Sequence, residues 1–209
     1  MLAVLAAASA FAVVGADVQH DLERCGVNEA AFERLLNLPE RAFDQDFSSG
    51  WRAIDTQPGC HRAAGEMLQA YILYAKPVPP KAVATLRWHA GQVFASDGDY
   101  ARALAFFHGT CEPADPEGQT SVWNLYVKGT IASLEGSRPD LDAATEALAA
   151  RRVTKAEIVA RKRFLAANPN ISMPPGFLTE PQNLAVLRGL QRCWGKSYKE
   201  AYGASCNRP

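Results

Sequence analysis

The sequence predicts an all-α fold of nine or ten helices arranged as antiparallel hairpins. Three observations predict it. Hydrophobic residues make up 48% of the 209-residue chain, which argues against disorder. Ala and Leu dominate while β-branched residues are sparse, a bias toward helix. No β-branched run alternates over the length of a strand, whereas apolar residues recur at three- and four-residue spacing along most of the chain.

Residues 1–16, MLAVLAAASAFAVVGA, read as a secretory signal: a short apolar run, then Val14 and Ala16 at the small-residue positions before a cut. The rest, 17–209, is expected to be a single repeat-like domain with its core at about 60–150. Asn28 caps a helix to about Leu38. Pro39 opens a short helix through Phe47, and Ser48-Ser49-Gly50 breaks the chain before Trp51. From Cys60, the stripe Ala64, Met67, Leu68, Tyr71 and Ala75 marks a core-facing helix that Pro77 ends. Pro79-Pro80 leads into a helix with Val83, Leu86, Ala90, Val93 and Phe94 on its apolar face. Gly98 stops it, and Tyr100–Gly109 returns antiparallel.

Residues 112–119 are a polar loop with two prolines. Helices are predicted next at about 120–135 and 139–150, separated by Gly136-Ser137. Thr154 and Glu157 form a capping box for a helix ending near Asn168-Pro169. The unpatterned stretch 168–176 is a loop. A last strong helix after Thr179 carries Leu184, Leu187, Leu190 and Trp194 on one side, and KSYKEAYG adds one short turn.

Two segments share a pattern. GQVFASDG (91–98) and GTIASLEG (129–136) each place two glycines seven apart on the first helix of a pair, at an offset of 38 residues. The first glycine lets the paired helix approach closely, and the second serves the helix C-terminus. The first copy resembles the tetratricopeptide repeat. Gly91 falls at the small position, Phe94 at the aromatic one, Gly98-Asp99-Tyr100 at the turn, and Ala103 and Phe107 on the second helix. Arg87 stands where that family has Trp, and Thr110 and Asp115 replace its usual Ala and Pro. The second copy matches at Gly129 and Gly136, with an insertion before Leu141, Ala144 and Leu148. The resemblance spans about 87–149 and implies a short tetratricopeptide-like solenoid. Separately, GWRAI, LRWHAGQ, WNLYV and RCWGKSYKEAYG look similar to stretches of exported bacterial proteins of unknown function. That similarity implies a periplasmic or secreted bacterial protein and no activity.

Of five cysteines, Cys25–Cys60 is expected to close a helical hairpin and Cys193–Cys206 to tie down the C-terminus. Cys111 is left over, read as a small buried hydrophobe. No CxxC pair or HExxH is present, and no two of His20, His61, His89 and His108 lie four apart, so neither a metal site nor a cofactor is expected. Catalytic groupings are poor. Cys60–His61 diverge on a helix start, Cys111 comes after His108 where a helix ends, and Glu66, Asp97, Asp99 and Glu135 sit in no recognisable frame.

Net charge is zero, which gives no footprint for nucleic acid. The zero conceals an asymmetry: residues 17–60 hold nine acids and four bases, and residues 151–209 hold eleven bases and three acids. The run RRVTKAEIVARKR (151–163) is read as a solvated surface, its Lys155, Lys162 and Arg163 not all sharing a face with Val159. The sharper reading of the asymmetry is a docking surface for an anionic partner, and that of the run is contact with anionic lipid headgroups or envelope polymers.

First helices of stacked pairs line a concave flank. Arg87, Trp88, His89, Gln92, Asn124 and Lys128 are the candidates to line such a groove, with the cations clamping a peptide carboxylate and Trp88 as platform. Trp88, Trp123 and Tyr126 at helical spacing also suit a core. The expected function is binding of a protein or peptide partner in the cell envelope, without catalysis and without stable membrane insertion after signal cleavage. The alternative is a helical enzyme acting on envelope material.

Overall fold

The structure is a computed structural model that describes residues 10–111, 121–170, 173 and 176–207. All regular structure in them is helical: fourteen α-helices, nine of them with eight or more residues, and one 3-10 turn. The count exceeds the nine or ten expected: the helices not predicted are Ala10–Val13, Ala16–Arg24, Gly50–Asp55 and Ala204–Asn207, of which only Ala16–Arg24 is long enough to show a hydrophobic period. The chain forms two compact units, Met1–Gly109 and Thr110–Pro209. The expected signal lies largely outside the described residues, as do the loop at 112–119 and part of that at 168–176.

The first unit contains α1 (Ala10–Val13), α2 (Ala16–Arg24), α3 (Glu29–Leu36), α4 (Glu40–Asp44), α5 (Gly50–Asp55), α6 (His61–Tyr74), α7 (Pro80–Asp97) and α8 (Tyr100–Phe107). Helix α6 is its centre and packs on α2, α3, α5 and α7. Its core joins Leu22, Phe32, Phe43, Met67, Leu68, Leu86, Phe94 and Phe107, all buried. Asn28 caps α3 by accepting from the Ala31 amide. Helices α2 and α5 are additions to the sequence reading. Phe11 is buried against Phe32 at 5.2 Å between ring centroids, and Gln19 donates to the carbonyls of Phe11 and Val14. The end of the leader-like run is thus packed on α3 in this structure.

The α7–α8 hairpin bears out the local turn chemistry. Gly98 adopts a left-handed conformation with φ 89° at the C-terminus of α7, and Asp99 caps α8 by accepting from the Arg102 amide. Gly91 is where the helices close up: a Cβ there would lie 2.5 Å from the Phe107 ring. Phe107 also packs against Trp88, 4.6 Å between ring centroids. Gly91→Ala is therefore expected to destabilise. Overpacking a filled core costs about 1–3 kcal/mol, and this outweighs the roughly 1 kcal/mol that alanine gains in helix propensity. Urea unfolding followed by circular dichroism measures the balance, and a more stable variant would refute it.

The second unit contains α9 (Val122–Glu135), α10 (Arg138–Ala149), α11 (Lys155–Ala167), α12 (Leu184–Arg192), α13 (Tyr198–Ala201) and α14 (Ala204–Asn207). Helices α9 and α10 pair, and α12 packs on both and on α13 and α14. Gly136 ends α9 in the left-handed conformation at φ 73°. Gly129 serves a different neighbour from the one expected. A Cβ there would lie 2.7 Å from Leu187 of α12, not against the hairpin partner α10. The last strong helix is shorter than its pattern. It ends at Arg192, and Trp194 lies outside it, exposed, with the Arg138 guanidinium 5.6 Å from its ring.

Both expected cysteine pairs are at bonding distance: Cys25–Cys60 in the first unit and Cys193–Cys206 in the second. They point to an oxidising, extracellular environment. Cys111 is outside both pairs, and it is exposed where a buried hydrophobe was expected. It comes directly after the 3-10 turn His108–Thr110, where the chain has left α8. No helix among the described residues is long and apolar enough to cross a membrane.

Candidate binding site

The six residues expected to line a groove are divided between the units: Arg87, Trp88, His89 and Gln92 on α7, Asn124 and Lys128 on α9. They do not all reach solvent, as a groove lining would require. Trp88 and Asn124 are buried in their own units, Arg87 and Gln92 are half-buried, and only Lys128 of the six is exposed. Helical spacing alone leaves the phase of α7 open, and the Trp88–Phe107 contact settles it by turning the indole inward.

His89 has a structural partner that its own helix does not reveal. Its Nδ1 lies 2.7 Å from Oδ1 of Asp44, a carboxylate with no solvent exposure. The same oxygen accepts from Trp51 Nε1 at 2.8 Å. Gln45 donates to the other oxygen, and Arg52 Nε donates to the Asp44 carbonyl at 2.7 Å. One carboxylate thus ties α4, α5 and α7 together. Burial pushes its carboxyl up, but the hydrogen bond and Coulomb attraction of His89, with the bonds from Trp51 and Gln45, outweigh burial and hold it below the ordinary carboxylate range.

The carboxylates available for acid–base chemistry are likewise engaged. Glu66, buried, is paired with Arg102, whose Nε donates to Asp99 at 2.7 Å. Arg62 lies 3.8 Å from Asp97. Cys60 is in a disulfide and has no thiol. His61 Nδ1 is 2.6 Å from Asp55. Among the described residues no group of three His, Cys, Asp or Glu side chains is placed to hold a metal ion.

The second unit holds a different arrangement, an open depression with several cations in its lining. Residues 150–154 connect α10 to α11, and Glu180 lies in the stretch before α12. Between them is a cavity of about 500 Å³ lined by Arg151, Arg152, Arg188 and Glu180, with Val153, Ile158 and Leu184 as apolar wall. Arg188 Nη1 is 2.6 Å from Glu180 Oε1. The lining as a whole carries three guanidiniums and one carboxylate.

The cavity's frame holds itself in place. Arg161 on α11 donates from one Nη1 to the carbonyls of Phe177 and Glu180, both at 2.7 Å, and so fastens α11 to the Glu180 wall. The Thr154–Glu157 capping box is present, with each side chain serving the other's backbone amide, so the connection enters α11 in a set direction.

Helix α11 corrects the reading of the basic run. It is continuous over 13 residues, so Lys155, Val159, Lys162 and Arg163 stand at i, i+4, i+7 and i+8 and share one side. All four are exposed, and no residue of the helix is buried. Arg152 and Arg151 belong to the basic run legible in the sequence. Arg188, 36 positions beyond Arg152, carries no one-dimensional signal that joins it to them.

No family model matches the chain, and no curated protein or solved structure does either.

Proposed function

We propose that the chain is an exported binding domain without chemistry of its own, built of tetratricopeptide-like helical hairpins, whose second unit takes an acidic protein segment in the cell envelope. The observation that carries this reading is the side of α11 on which Lys155, Lys162 and Arg163 are exposed together. A helix that buries none of its residues contributes little to its own core, and three exposed cations on one side give an acidic segment its complement. Export is supported by the leader-like run at 1–16 and by two disulfides. Absence of chemistry is supported by the engagement of Glu66, Asp99 and Cys60 in structural bonds.

The test is binding of fluorescein-labelled poly-L-glutamate, read by anisotropy over a salt series. The triple variant K155E/K162E/R163E, whose unchanged helix content is checked by circular dichroism, changes only exposed positions. It is expected to weaken binding by about tenfold or more, since exposed ion pairs contribute roughly 0.2–1 kcal/mol each and 1.4 kcal/mol is tenfold. Wild-type affinity is expected to fall as salt rises. Unchanged affinity in the variant, or no binding at low salt, would refute the proposal.

A further inference from the structure

We propose that residues 11–16, the end of the leader-like run, belong to the mature protein, and that any cut made on export falls before Phe11. This rests on the reading that the chain is exported, and it is independent of what α11 binds.

A leader that is discarded is read for its apolar length and for the small residues before the cut. Neither property requires it to fit the protein behind it. Phe11 does fit. It is the only aromatic residue in positions 1–16, and it is 7% exposed. Its ring meets that of Phe32 edge-on, with centroids 5.2 Å apart and planes at 66°, the arrangement that ring quadrupoles favour. Phe32 lies on α3 and has no solvent exposure. A cut after Ala16 takes the Phe11 ring out of this core, and losing a buried aromatic side chain is among the costliest of core changes.

The backbone of the same stretch is used as well. Gln19 Nε2 donates to the carbonyls of Phe11 at 2.8 Å and Val14 at 3.1 Å, so one amide ties the α1 segment to α2. The Gly15 carbonyl accepts from the Gln19 amide at 3.0 Å and closes the first turn of α2. A cut after Ala16 removes all three acceptors. It also places a new ammonium group in that turn, at the helix end where the macrodipole favours negative charge and where Asp17 supplies it. Helix α2 is no dispensable flank. It packs on α6, buries Leu22 completely and ends at Cys25, which is bonded to Cys60.

Signal peptidase acts before a chain folds, so the helical setting of the Ala16–Asp17 bond does not protect it. The difference lies in the products. A chain beginning at Asp17 is an incomplete first unit, whereas one beginning at or before Phe11 keeps every one of these contacts.

The experiment produces the full chain in a Gram-negative bacterium and measures the intact mass of the protein in the periplasmic, membrane and cytoplasmic fractions. The exported protein is expected to begin at Phe11 or an earlier residue. An exported protein beginning at Ala12 or later, Asp17 above all, would overturn the proposal. The melting temperature is then measured on purified protein, with the N-terminus of each variant read by mass. Phe11→Ala is expected to lower it by about 10 °C, and Phe11→Leu by less, because leucine refills part of the space. Val13→Ala, on the same helix but 57% exposed, is expected to leave it nearly unchanged. A Phe11→Ala shift no larger than that of Val13→Ala would overturn the proposal whatever the N-terminus. Failures are separable. A chain found uncut and only in the cytoplasm rejects the export reading, and the melting temperatures then decide alone whether 11–16 belong to the fold. Poly-L-glutamate binding tests the acidic partner and is unaffected by either result.

Discussion

Replacing Cys25 and Cys60 together with alanine is expected to remove about 4 kcal/mol from the first unit, the value that loop-closure entropy assigns to a separation of 35 residues. The enclosed loop contains α3, α4 and α5, helices of eight, five and six residues. Helices this short do not persist alone in water. Their order depends on packing against α6, and the crosslink joins the residue after α2 to the residue before α6. Without it, the unfolded chain regains the freedom of the whole loop while the folded state keeps the same contacts. Both cysteines are buried, so the alanines also leave small cavities.

The matching change at Cys193 and Cys206 closes a separation of only 13 residues and is expected to cost about 3 kcal/mol. Hydrogen exchange measures both: lost protection should centre on α3–α5 in the first case and on α12–α14 in the second. A loss below about 1 kcal/mol for the longer loop would show that its helices hold without the crosslink.

The features legible in the sequence are those decided within a few residues. Gly98-Asp99 dictates its own turn, because glycine alone enters the left-handed region freely and aspartate caps the next helix, α8. Thr154 and Glu157 specify a helix start at a spacing of three. The two cysteine pairs match those favoured from the sequence, although sequence alone leaves the connectivity of five cysteines open. Features that depend on a second, distant segment are not. Gly129 looks like the twin of Gly91, yet its close neighbour is Leu187, 58 positions on. Helix α2 is hidden because the leader-like run ends where it begins. The shared side of Lys155, Lys162 and Arg163 follows from helical spacing alone, and the sequence reading missed it. Half of the arginine cavity is visible as a basic run, but its other wall, Glu180 and Arg188, is brought there only by tertiary structure.

Asp44 is the plainest case of a residue whose weight sequence cannot show, and its replacement is the second large effect expected. In the sequence it is one acid among nine at 17–60. In the structure it has no solvent exposure and accepts from three side chains on or beside α4, α5 and α7. Asp44→Ala leaves the Trp51 N–H buried with no acceptor and the His89 ring unanchored. Orphaning a buried donor costs about 1–3 kcal/mol, and breaking a buried charged contact by removing one partner costs about 3–5 kcal/mol. The two effects overlap at the same oxygen, so a loss of roughly 2–4 kcal/mol is expected in all. Asp44→Asn keeps one acceptor oxygen but turns an amide toward a donor, so it should fall between alanine and wild type.

The pH dependence has a definite sign. Asp44 titrates below the ordinary carboxylate range in the folded protein, so the unfolded chain takes up its proton first as pH falls. The stabilisation is therefore fully present above the unfolded carboxylate pKa and is lost as pH falls through the folded one. The gap in urea midpoint between wild type and Asp44→Asn should be widest near neutrality and close in strong acid. A gap that stays constant down to the lowest pH at which the protein folds would mean that the charge of Asp44 does not hold α4, α5 and α7 together. Hydrogen exchange on α7 separates the remaining alternatives: if His89 is anchored through Asp44, amides around residues 86–92 open more readily in both variants, whereas a purely local role for Asp44 would confine the change to α4 and α5.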